Sequence, residues 1–310
     1  MANTTNRPDP TANAAARFGT LAGVFTPNIL TILGLILFLR MDTVTGQAGL
    51  WGALAIVMLG NAISLLTGLS LSAIATNMTV RAGGNYYIIS RSLGLEIGGA
   101  IGIPLFMSQA ISVAFYVIGF TEALVTVEFF EQFDKRMISL FVVCLFIGIA
   151  YIGADFALRI QFVVLAILMF GIGSFFIGGI MNFGAADPPA LEANYEVGAN
   201  FWTMFAIFFP AVTGIEVGIS LSGDLKDPSR SIPFGTIASI LFTALVYIGV
   251  TVLFAFNVTS VELLDGEITM QQIAIIPGAI LAGVWASTLS SALGSVLAAP
   301  RTLQAIARDR

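Results

Sequence analysis

The sequence predicts an all-α membrane protein with eight bilayer-crossing helices, the first and sixth of them interrupted. Three observations carry this. The 310 residues are 57% hydrophobic and only 10% charged, with a mean hydropathy of +0.94, well outside the range of soluble domains. Eight apolar stretches are each long enough to cross a hydrocarbon core, which takes roughly 20 helical residues. Two of those stretches contain Pro, Thr and Gly together near their middles, and broken helices survive at membrane depth only where protein or a cavity receives the freed backbone groups.

Residues 1–19 read as a polar N-terminal tail, without the cationic start and apolar core of a secretory signal, and residues 20–310 as one transmembrane domain. The first span, 20–39, carries Pro27, Thr31 and Gly34. Proline removes a backbone donor and glycine permits an unusual dihedral, so this span is expected to break between them. Spans at 49–75, 97–124, 137–154 and 158–181 follow, the fourth holding Cys144, which reads as a packing residue. The sixth, 201–222, repeats the pattern with Pro210, Thr213 and Gly214, and adds Glu216. The seventh and eighth cover 233–256 and 274–299. Interruptions five spans apart are what an inverted five-plus-five repeat produces. That fold needs ten core spans, so a ninth and a tenth are expected in a longer product, the second repeat being incomplete at Arg310.

The distribution of charge gives orientation. With a cytoplasmic N-terminus, Arg7, Arg17, Arg81, Arg91, Arg159, Lys226, Arg230, Arg301, Arg308 and Arg310 lie inside, and Arg40, Lys135 and Arg136 outside. This asymmetry obeys the positive-inside rule. Loops on the other side are acidic, at Glu128, Glu131, Asp134, Asp187, Glu192, Glu196, Glu262, Asp265 and Glu267, and read as solubilising surface. A net charge of −5 argues against nucleic acid. Histidine is absent and Cys144 is the single cysteine, which removes a disulfide framework, a Cys/His zinc site and a histidine-based triad. An enzyme in the membrane needs a cluster of catalytic groups, and Glu216 stands without a second buried carboxylate.

Breaks in two helices have a definite electrostatic consequence. The half that begins presents free N–H groups and a positive dipole end, and the half that stops presents free carbonyls. The N–H groups of Gly34, Leu35 and Ile36, and of Gly214, Ile215 and Glu216, suit an anion, while carbonyls near Leu30, Ile32, Leu33 and Pro210 suit cations. Hydroxyls at Thr31 and Thr213 add neutral oxygens that favour an alkali cation. In the eighth span Ser287, Ser290 and Ser291 are spaced by three and four and share a helical face. Such serines knit helices together or point at one ion.

Several longer motifs occur in order: Leu37-Phe38-Leu39-Arg40 through Gly46-Gln47-Ala48-Gly49; Leu71 to Asn77 with Arg81-Ala82-Gly83-Gly84-Asn85-Tyr86-Tyr87; Tyr116-Val117-Ile118-Gly119-Phe120-Thr121-Glu122; Phe209-Pro210-Ala211-Val212-Thr213-Gly214 into Ser222-Gly223-Asp224-Leu225-Lys226-Asp227-Pro228; and Ser290-Ser291-Ala292-Leu293 into Ala299-Pro300-Arg301. In these the chain resembles the cation-chloride cotransporter family, from about residue 20 to its end. The resemblance implies a LeuT-type inverted-repeat transporter fold of the amino-acid-polyamine-organocation type. It also implies electroneutral symport of chloride with potassium, sodium or both, with the ions as ligands, no cofactor and no covalent chemistry. It places potassium at Thr31, Ile32, Tyr116, Pro210 and Thr213; sodium at Leu30, Leu33, Ser287, Ser290 and Ser291; and chloride at Gly34, Leu35 and Ile36 and again at Gly214, Ile215 and Glu216. Tyr116 and the serine pair together favour the sodium-potassium-chloride branch. Arg40 and Glu122 are the implied outer gate, or else interfacial charges that snorkel outward. The partners implied are inorganic ions and the bilayer, with a homodimer of the full-length protein an open expectation.

The chain departs from that family at three positions. Thr31 stands where asparagine is familiar, Leu33 where tryptophan is, and Glu216 where the pattern has an apolar residue. A carboxylate beside the second anion site repels chloride, leaving four outcomes: that chloride is lost, Glu216 turns away, it binds a cation, or it carries a proton. The alternative within the same fold is an amino-acid or proton-coupled transporter, which holds an α-carboxylate at the breaks. Its usual Gly-Ser-Gly first-helix break is replaced here by Leu30-Thr31-Ile32-Leu33-Gly34. The Gly83-Gly84 loop lacks a nucleotide fingerprint and reads as a hinge or a point of tight packing.

Overall fold

A computed structural model describes residues 18–77, 84–152, 154–220, 225–265 and 268–309, with side chains at all of these except 149–159. The expectations for residues 1–17, Arg81, Gly83, Ser222 to Asp224, Glu267 and Arg310, and for the Arg159 side chain, lie outside the described residues.

The described residues form helices and no strand beyond one isolated parallel bridge, Phe18 to Leu225. Lys226 N–H donates to Phe18 O at 2.9 Å, so Phe18 is fixed just before the first span. That span opens with a π-helical turn, Leu21–Phe25, and continues as α1, Thr26–Ile32. Leu33 and Gly34 leave helical geometry, and α2 resumes over Leu35–Leu39. The predicted break is therefore real.

The second span is α3, Met41–Asn77, bent at Gly49 with φ 64°. Only glycine takes that dihedral without strain, and Leu50 N–H accordingly leaves the helix to meet Ala190 O at 2.9 Å. Next come α4, Gly84–Leu93; α5, Leu95–Leu124; a short α6, Glu128–Glu131; α7, Lys135–Ile152; and α8, Ala154–Met181. The sixth span starts as α9, Phe201–Phe208, where the Asn200 side chain accepts from Trp202 and Thr203 N–H as an N-cap. It tightens to a 3₁₀ turn, Phe209–Thr213, and restarts as α10, Glu216–Ser220. The seventh is α11, Pro228–Asn257, begun by Pro228 and an Asp227 cap. Hydrogen bonds, led by that from Ser229, keep the Asp227 carboxyl below its usual pKa and so charged at the helix's positive end. After α12, Thr269–Ile273, the eighth span is α13, Pro277–Arg308.

Seven of the spans are long and apolar enough to cross a membrane within the described residues, and α7 supplies an 18-residue helix at the position of the fourth. Spans five apart in sequence meet in space: α3 packs on α11, α5 on α13, and α1 and α2 on the α9–α10 segment. This pairing of counterparts is the signature of the inverted repeat. The broken first span sits at the centre, 78% of its apolar stretch buried against 11% for α5. Large side chains such as Ile103, Phe141, Val163 and Phe170 face outward, as they do when lipid is the solvent.

The sequence reading missed α4, which fastens to the end of α13 through an Arg91–Asp309 ion pair at 2.6 Å and a Tyr86 hydroxyl bond to Asp309. Gly84 packs tightly, as one of the two readings of its loop had it: a Cβ there would lie 3.1 Å from Ser220 Cα. Cys144 corrects an expectation. It is exposed on α7, not packed, because an apolar thiol is as acceptable toward lipid as toward protein.

Candidate functional site

The two helix breaks face each other. A Cβ added at Gly214 would stand 2.8 Å from Thr31 Cγ2 and 3.1 Å from Ile32 Cγ1, so the glycine is what lets the sixth span close on the first. Neighbouring helices meet the carbonyls that the breaks release. The Tyr247 hydroxyl on α11 donates to Ile32 O at 2.7 Å, Ser291 on α13 donates to Leu30 O at 3.3 Å, and Ser64 on α3 donates to Val212 O at 2.7 Å. A buried carbonyl without a donor costs about 1–3 kcal/mol, which accounts for a hydroxyl at each. A hydroxyl is also able to rotate, offering its own oxygen to a cation beside the carbonyl.

Thr31 Oγ1 donates to Pro27 O at 3.0 Å and Thr213 Oγ1 to Pro210 O at 2.8 Å. These are threonine back-bonds to the preceding turn of each threonine's own helix, and their oxygens keep lone pairs for a ligand. Asn28 ties three segments together. Its Nδ2 donates to Ser239 Oγ at 3.2 Å, and its Oδ1 accepts from Gly218 N–H at 2.9 Å. Beyond the first break, α2 begins at Gly34 without any side-chain cap. Leu35, just inside it, fills the space that Gly119 of α5 leaves by lacking a Cβ.

Of the three serines, Ser287 and Ser291 are buried and Ser290 is half-buried. Only Ser291 hydrogen-bonds to α1 among the described residues; the Ser287 hydroxyl turns back to Val284 O at 3.2 Å. Tyr116 is half-buried and stacks edge-on against Phe115, with ring centroids 5.6 Å apart. Glu216 occupies the first turn of α10, where a carboxylate is favoured by the helix dipole, and its side chain is hydrogen-bonded by Asn85 of α4.

At the far end of the first span Arg40 and Glu122 form an ion pair at 2.8 Å, and Arg40 also donates to Leu39 O. Both side chains are about 40% exposed, so the pair adds about 0–1 kcal/mol to stability. Its consequence is positional, joining the α2–α3 corner to the end of α5.

The family model of the amino acid permeases matches residues 23–310. The chain belongs to the amino acid permease family. It is also 34% identical to human solute carrier family 12 member 2, over 96% of this chain and 29% of that protein. To mouse solute carrier family 12 member 1 it is 34% identical, over 94% of this chain and 32% of the relative. The zebrafish member 2 matches at 34% over 96% of this chain and 31% of the relative. The chain thus spans about three-tenths of the length of the curated relatives it matches. These matches bear out the family resemblance carried by the motifs.

Within this amino acid permease domain, Asn28, Ser64, Asn85 and Tyr247 hold the breaks together and were not singled out from sequence. Each is a polar residue at or near membrane depth, the same signal that marked Glu216. Neutral amides and hydroxyls are cheap to bury once hydrogen-bonded, so the signal is weak for them.

Proposed function

We propose that the chain is the transport domain of a secondary active symporter coupling chloride to potassium and sodium by alternating access, with its N-terminus cytoplasmic. The reading rests above all on the meeting of the two breaks, Thr31 and Ile32 against Gly214. Membership of a permease family and similarity to solute carriers support transport without covalent chemistry.

In this reading potassium lies among Thr31, Ile32, Tyr116, Pro210 and Thr213, beside the contact between the two breaks. Sodium lies between α1 and α13, at Leu30 and Leu33 with Ser287, Ser290 and Ser291; the Ser291 bond to Leu30 O supports that pairing of elements. Chloride rests on the uncapped N–H groups of Gly34, Leu35 and Ile36, and a second anion subsite lies at Gly214 and Ile215 beside Glu216. The Arg40–Glu122 pair acts as the outer gate.

Radiotracer uptake by the full-length protein in proteoliposomes tests this directly. Replacing sodium, potassium or chloride one at a time is expected to stop uptake of the other two. A double substitution, Ser290→Ala with Ser291→Ala, is expected to remove the sodium requirement while potassium and chloride still move. Retained sodium dependence would eliminate the proposed sodium site. A second reading, an amino-acid carrier, is favoured by the description of the matching family; chloride-independent uptake of an amino acid would put it in place of the first.

A further inference from the structure

A cavity of about 470 Å³ lies beside the opening turn of the first span, where that turn meets the start of α11. Thr20, Lys226, Asp227, Arg230, Ser231 and Phe234 line it. Thr20 and Ser231 share a hydrogen bond at 3.0 Å, which spends one of their two hydroxyl hydrogens and leaves the other for a ligand. Lys226 and Arg230 are exposed, and among the described residues neither belongs to an ion pair. The Asp227 carboxylate is engaged by the helix start, accepting from Ser229 Oγ at 2.7 Å and from Arg230 N–H at 3.3 Å. Two cations against one carboxylate leave the lining with an excess of positive charge, at the N-terminal end of a 30-residue helix.

Position decides which kind of anion fits. Phe234 stands one turn beyond Arg230, and Leu241 and Leu245 continue the column; all three are exposed. At about 100° per residue these four positions fall within about 60° of one another. The cation and the apolar column therefore share the face that α11 turns to lipid. From Arg230 to Leu241 the helix rises about 17 Å, close to the roughly 15 Å of hydrocarbon in one leaflet. Leu21, next to Thr20 on the first span, is exposed as well. A free phosphate has use for the cations alone, whereas a phospholipid meets them with its headgroup and the column with a chain.

We infer that the cavity lined by Thr20, Lys226 and Arg230 binds one anionic phospholipid, its phosphate on the two cations and an acyl chain along Phe234, Leu241 and Leu245. Such a lipid touches both the opening turn of the first span and α11, which the Thr20–Ser231 bond already joins. It thereby braces the entry of the broken helix against its neighbour. Placing the site in the cytoplasmic leaflet rests on the orientation proposed above; the binding itself does not.

Native mass spectrometry of the full-length protein in detergent, titrated with dioleoyl phosphatidylglycerol, tests the site apart from transport. One lipid is expected to bind more tightly than any that follow, and several-fold more tightly than dioleoyl phosphatidylcholine. Lys226→Gln and Arg230→Gln should each weaken it about fivefold, and the two together about twenty-five-fold. Arg230→Lys, which keeps the charge, should retain most of the affinity. Lys135→Gln, at the Arg40 end, is the charge-matched control and should leave it unchanged. Glycerol 3-phosphate in large excess, a headgroup phosphate without chains, should fail to displace the lipid. Parental affinity in the double variant, equal loss in Lys135→Gln, no preference over phosphatidylcholine, or displacement by glycerol 3-phosphate would each overturn the assignment.

Discussion

Gly214→Val is expected to reduce uptake by more than tenfold, whereas Gly173→Ala transports within about twofold of the parent, as a substitution into open space should. A Cβ at position 214 would lie 2.8 and 2.9 Å from Thr31 Cγ2 and Cβ and 3.1 Å from Ile32 Cγ1. Valine brings two further methyl groups to the same place. The neighbours have little room to yield, because Thr31 is bonded to Pro27 O and Ile32 to the Tyr247 hydroxyl. Overpacking of this kind costs about 1–3 kcal/mol, and every 1.4 kcal/mol added to a rate-limiting barrier slows the step about tenfold. The strain falls on the contact between the two breaks, so the loss should appear in transport before it appears in folding. Gly173, on α8, has no atom within 4 Å of a built Cβ and is the matched control. Initial uptake rates normalised to inserted protein, with size-exclusion profiles for both variants, decide the matter. Parental uptake by the valine variant would mean that the breaks do not form the site.

The span positions and both breaks were legible because they depend on local chemistry. Hydropathy over about 20 residues reports burial in lipid directly, and Pro210 with Thr213 and Gly214 marks a place where helical bonding fails whatever surrounds it. The first break falls at Leu33 and Gly34, inside the stretch bounded by Pro27 and Gly34. The partners of the released carbonyls were not legible. Ser64, Tyr247 and Ser291 reach carbonyls 148, 215 and 261 residues away in the chain, and no periodicity encodes which of many buried hydroxyls will do so. The helix α4 was missed because it is a ten-residue piece, too short and polar to resemble a span. The Arg40–Glu122 pair is intermediate, since family resemblance suggested it and simple interfacial charge explained it equally well.

Glu216→Gln should have the second large effect, and its sign separates the possible roles of this residue. The carboxylate stands in the first turn of α10, immediately after Gly214 and Ile215, and is hydrogen-bonded by Asn85. A chloride at the neighbouring N–H groups would feel it. At about 6 Å and an effective dielectric constant near 20, two like unit charges repel by about 3 kcal/mol, or about a hundredfold in affinity. If Glu216 stays charged and suppresses a second chloride, glutamine is expected to lower the half-saturating chloride concentration steeply and to increase the number of chlorides moved per potassium. A glutamate that instead holds a cation gives the opposite sign, a weakened cation affinity with chloride unchanged. Should it carry a proton through the cycle, the glutamine variant loses the pH dependence of uptake. Glutamine preserves the shape of the side chain and its capacity to meet Asn85, so a structural role alone leaves chloride affinity, stoichiometry and pH profile where they were. Chloride titrations of rubidium uptake at two pH values, in parent and variant, distinguish these outcomes. Identical curves would reduce Glu216 to a tether between α10 and α4, and the second anion subsite would then have to be explained without it.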